Sequence, residues 1–138
     1  MSDAIPVLLD RKTARLGATA LAGLRVAIGL GAAVAPRMVL RPWVGPRLAG
    51  EKAAPMLGRS LGGRDLALAL GALIALKEEG PARGWVEAGA LADASDAIGM
   101  LLAFRHLPER TRWQVLILTI GAVAAGGVIA PAIDQDGK

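Results

Sequence analysis

Four apolar runs of about 20 residues, at 16–35, 56–76, 84–104 and 113–130, are separated by short charged or proline-rich stretches. A helix rises 1.5 Å per residue, so about 20 residues cross a hydrocarbon layer roughly 30 Å thick. Only helices or closed barrels satisfy their own backbone in lipid, and runs of this length predict helices. The pattern therefore predicts an all-α protein, an integral membrane four-helix bundle filling a single domain over residues 1–138. Pro36 and Pro131 are the expected stops of the first and fourth spans. The turn 77–83 is short, which makes spans two and three antiparallel neighbours.

Small residues recur along these runs. Gly23, Ala27 and Gly31 lie at four-residue spacing in the first span and predict a face for another helix. In the second, Gly58, Gly62, Asp65, Ala69 and Ala72 fall on one side. Gly121, Ala125 and Gly126 offer a third close-packing face. The segment 36–55 has prolines at 36, 42, 46 and 55, which forbid a long helix. It reads as an interfacial loop, with Trp43 as an anchor and Arg37, Arg41 and Arg47 on lipid phosphates. The sharper alternative is a binding loop. Trp85 and Trp113 stand at the ends of spans three and four as further anchors, and Arg59 is expected to meet headgroups or water.

The runs are not purely apolar. Arg25, Arg64, Asp65, Asp93 and Asp96 each lie within about three residues of a span midpoint, about 4–5 Å along the helix. An ion at that depth costs roughly 2.5–3.5 kcal/mol even on insertion scales, so each needs a partner inside the protein. Asp93 and Asp96, three residues apart, share a face. Arg64 is expected to contact one of them, and Arg25 to meet Asp65 or the remaining aspartate. Arg64 and Asp65 point about 100° apart and are not expected to pair with each other. Glu87 can reach Arg83 one turn back, or Arg15. Two cations against three carboxylates leave one negative charge, which must be met by a proton or a bound cation. The centre is thus either a structural network that fixes helix order or a ligand or proton site.

Composition narrows the classes. Hydrophobic residues make up 54% of the chain and mean hydropathy is +0.47, as for a small membrane protein. The net charge is +4, but Lys and Arg lie between the apolar runs rather than in one patch, which argues against nucleic acid and for a lipid bilayer. There is no cysteine, which excludes disulfides, thiolate metal sites and thiol nucleophiles. His106 is the single histidine, with no second or third metal ligand nearby. Ser60 and Ser95 have no histidine at a workable spacing. The glycines of 58–63 lack the Lys-Ser/Thr ending and preceding strand of a phosphate loop. No catalytic residue, metal or cofactor is expected, and an enzyme is the least favoured class.

Gly-Arg-Ser-Leu-Gly-Gly-Arg-Asp-Leu-Ala (58–67) and Trp-Val-Glu-Ala-Gly-Ala-Leu-Ala-Asp-Ala-Ser-Asp (85–96), with four spans and a basic, proline-rich first loop, resemble small bacterial membrane proteins of the DoxX-like group. The resemblance implies a four-helix integral membrane protein, sometimes associated with redox or thiol-stress partners. Any thiol chemistry would belong to the partner.

Two functions are compatible with these features. One is an accessory or assembly subunit, docking through glycine-rich faces on a larger membrane complex or on copies of itself. The other is a protein that handles a small solute, a lipid or protons at the polar centre. The expected location is the inner or plasma membrane, multi-pass. Six Lys and Arg on the side of the tails and the 77–84 turn, against eight opposite, place both termini outside.

Overall fold

A computed structural model describes residues 8–134. Residues 1–7 and 135–138, parts of the two polar tails, lie outside them. Within these bounds the chain is helical, with no strand: α1 (Arg11–Val34), α2 (Pro36–Ala49), α3 (Ala54–Lys77), α4 (Arg83–Ala103) and α5 (Glu109–Ile133), with a 3-10 turn at Phe104–His106. The four long helices take in the four apolar runs except residues 35 and 104. Each packs antiparallel to its neighbours in the cyclic order α1, α3, α4, α5, and α2 lies across one end. Two of them, α1 and α5, are long and apolar enough to cross a membrane.

The interior is made of small side chains. Ala14, Ala18, Ala22, Gly29 and Ala32 form the buried stripe of α1, and Gly58, Gly62, Asp65, Ala69 and Ala72 that of α3. A Cβ on Gly62 would lie 2.8 Å from the Gly29 carbonyl oxygen, so here the two backbones are in contact. On α1 the buried stripe is therefore not the expected one. Gly23 and Ala27 face outward, and Gly23 has no neighbour. The reason is Arg25, which must turn inward to its partners and carries Ala22, Gly29 and Ala32 with it. On α5, Gly126 packs against Ala90 while Gly121 is open.

The helix ends are tied to one another. Arg15 Nη2 donates to the Leu76 carbonyl near the end of α3 (2.7 Å), and Arg59 Nε donates to the Ala33 carbonyl at the end of α1 (3.2 Å). Each helix of the pair thus donates to a carbonyl in the other's last turn. At the start of α4 the Asp134 carboxylate accepts from the Ala82 and Arg83 amides (3.1 and 2.9 Å). Arg83 pairs with Glu87 (2.6 Å), whose carboxylate raises the guanidinium pKa above its ordinary value.

Two boundaries differ from the sequence reading. Residues 36–49 are helical rather than an irregular loop. Pro36 occupies the first turn, where its missing N–H costs nothing, and the helix breaks at Gly45 (φ 82°, ψ 162°) just before Pro46. At the other end α5 runs two residues past Pro131, because Ala132 and Ile133 are fully buried against α1 and α4.

Candidate functional site

Arg25 of α1 is held by three groups. Its Nη1 lies 3.3 Å from Asp65 Oδ1, and its Nη2 donates to Asp93 Oδ2 and to the Gly89 carbonyl (2.9 Å). Gly89 makes room for this, since a Cβ there would sit 3.2 Å from Nη2. Arg64 of α3 grips Asp96 with both terminal nitrogens, at 2.9 and 2.8 Å, the bidentate geometry that suits guanidinium to carboxylate. Its Nε and Nη2 also reach Asp65 Oδ1, at 3.3 and 3.1 Å.

All five mid-helix ionisable residues are thereby joined in one alternating series: Asp93, Arg25, Asp65, Arg64, Asp96. The Arg64–Asp65 contact corrects the expectation that these neighbours stay apart. Their Cβ atoms do diverge, but the guanidinium bends back along α3 to the one carboxylate lying between the two arginines. Asp65 is the most buried of the five, at 9% exposure, because it sits on the stripe where α3 meets α1. The series crosses from α1–α3 to α4 between an apolar cluster around Ile129 and Ile133 at one end and one around Met100, Leu107 and Val115 at the other.

Cavities lie on either side of it. One, of about 240 Å³, is closed by α2 and bordered by Arg64, Asp65, Ser95 and Asp96 among aliphatic side chains. A second, of about 130 Å³, faces α5 and is bordered by Arg25 and all three aspartates. Trp43 lines both, and packs on the cluster of Met100, Leu107 and Val115. It thus points into the bundle, where the sequence reading had it anchoring the chain in headgroups. Helical α2 turns it inward. The Trp85 ring lies over Gly71 of α3, where a Cβ would meet it at 2.4 Å. Trp113 stays half-exposed, edge-on to Phe104 at 5.1 Å, with Arg112 over the same ring. His106 and Ser60 are exposed and outside the series. Among the described residues no group of three or more His, Asp or Glu is placed to hold a metal.

Gly89 is the residue that sequence reasoning missed, while Trp43 was singled out there as an anchor and lines the cavities. Gly89 stands one turn before Asp93, a spacing that could have marked it as the seat of an arginine. Comparison of the chain with protein-family models, with curated proteins and with solved structures finds no match.

Proposed function

We propose that the protein is an integral membrane bundle in which α1, α3, α4 and α5 all cross the inner or plasma membrane, and that its ionic centre handles a small solute, a lipid or protons. The observation that carries this is how each long helix divides its side chains. In α3 and α4, which hold too many charges to count as apolar helices, the mid-helix ions face one another. Leu70, Ile74, Leu91, Ile98 and Leu102 cover the outside, with Leu91 72% and Leu102 81% exposed. In water that arrangement is inverted, since large apolar residues belong inside. In lipid it is the expected one, with small residues at helix contacts and ions turned inward. A purely structural network would have no need of cavities against it, and here two share its charged wall.

Resistance to carbonate extraction tests the membrane assignment, and release into the soluble fraction would overturn it. Native mass spectrometry from mild detergent tests the site: a retained small molecule lost on Asp93→Asn supports it. A second reading, the accessory subunit of a larger complex or a homo-oligomer, rests on a different observation. Gly23, Gly63, Gly99, Gly121 and Gly127 have open space where a side chain would be, leaving bare backbone for another helix to approach. Stoichiometric co-purification of a larger partner would favour it, and a DoxX-like kinship would be consistent with either reading.

A further inference from the structure

Given that the centre is a site, its hydrogen-bonding inventory indicates what it takes. Both guanidinium groups are already committed to carboxylates. The spare capacity lies on the acids: Asp65 accepts three hydrogen bonds on Oδ1 and none on Oδ2, and Asp93 accepts on Oδ2 and none on Oδ1, among the described residues. Neither free oxygen is fully enclosed, unlike Arg15 Nη1 and Arg112 Nε. Both residues border the 130 Å³ cavity. The neighbouring helices do not offset the negative charge left over. Arg25 comes from α1, Arg64 and Asp65 from α3, and Asp93 and Asp96 from α4. From α5 the cavity receives Thr119, whose hydroxyl donates to the Val115 and Leu116 carbonyls, and from α2 the uncharged Trp43.

We infer that this cavity is a site for a small alkylammonium cation, its ammonium group donating to Asp65 and Asp93 and its apolar part against Leu21, Leu24 and Leu118, and that the cation exchanges there with one proton. An anion is disfavoured by the net charge and by the committed arginines. A neutral ligand would leave the surplus charge to a proton and gain no attraction from it. At roughly 30 Å³ per water-sized group, the cavity has room for roughly four to five such groups, and a butylammonium ion has about five.

The test is calorimetric titration of the full chain in lipid nanodiscs with butylammonium, with 1-butanol and butyrate as neutral and anionic counterparts. Two buffers of different ionisation enthalpy count the protons released. The expected result is binding of butylammonium alone, with up to one proton released per cation and affinity falling as pH is lowered. Asp96→Asn leaves the contacting carboxylates in place but cancels the surplus charge, and should weaken binding by about tenfold or more. Asp93→Asn, checked for retained helicity and monodispersity, should lose binding as well. Preferential binding of butanol or butyrate would overturn the cation assignment and leave the site reading standing. Unchanged affinity in Asp96→Asn would show that net charge is not the determinant and overturn it too. Failure to bind any of the three, with no proton uptake or release between pH 5 and 9, would overturn both.

Discussion

Where α1 meets α3, Gly29 and Gly62 bring backbone against backbone, and Ala22, Ala69 and Ala72 continue the contact as a buried cluster. Where that pair meets α4, the helices stand apart. The space holds two guanidinium groups, three carboxylates and two cavities. Away from the Arg25–Asp65 pair, the first contact is close because only small side chains project from it, and there it is set by shape. The second is held by charge, which tolerates space, admits ligands and responds to protons. A bundle built wholly in the first way would be rigid and inert. A seam of the second kind is what the proposed site requires.

The largest expected effect comes from stranding a charge in the seam. Arg64→Leu leaves Asp96 without its bidentate partner and should cost about 3–5 kcal/mol in a detergent unfolding titration. Combining it with Asp96→Leu should recover a large part of that loss. A double variant no better than the single would mean that Asp96 is not the partner that matters. Gly62→Ala attacks the other contact. Its Cβ would meet the Gly29 carbonyl at 2.8 Å, backbone that cannot swing aside, so about 1–3 kcal/mol is expected. Unfolding that is indifferent to Gly62→Ala would show that α1 and α3 are not held at this distance.

A similar loss, about 1–3 kcal/mol, is expected for Gly45→Ala, since φ 82° with ψ 162° is a conformation almost confined to glycine. Its effect should appear as a larger share of tryptophan fluorescence quenched by acrylamide, as α2 loosens and uncovers Trp43. The smallest effect belongs to Asp10, outside both contacts. It caps α1 by accepting from the Thr13 amide and hydroxyl, which holds its carboxyl below the ordinary 3.8. A folded value below the unfolded one means the contribution is full above the unfolded value and is lost as pH falls through the folded one. Asp10→Ala should therefore hasten exchange of the first-turn amides at pH 7 and make little difference well below pH 3.8.

Helix positions were legible because the span signal is long and repetitive, and the buried stripe of α3 was legible because its small residues run unbroken through Asp65. The stripe of α1 was not. Two registers of small residues compete there, and only the demand of Arg25 for partners on α3 and α4 chooses between them. Helical α2 was hidden by its prolines, which read as breakers although Pro36 opens the helix and Pro46 follows the break at Gly45. The ionic residues were visible as a set from their common depth. Their wiring was not, because Cβ direction says little about where a long guanidinium ends, and Asp65 proved to be shared by both arginines.

The account turns on α3 and α4 crossing the membrane with their charges inward, and the natural absence of cysteine makes this directly measurable. Single cysteines at Glu51, Glu78 and Glu109, exposed at the ends of the long helices, and at Leu91, exposed in the middle of α4, can be challenged with a membrane-impermeant maleimide in intact and permeabilised cells. The account predicts that Glu78→Cys reacts from one side only, Glu51→Cys and Glu109→Cys from the other, and Leu91→Cys from neither. With the termini outside, Glu78→Cys is the one labelled in intact cells. Labelling of all three glutamate positions from a single side, or ready labelling of Leu91→Cys, would contradict it.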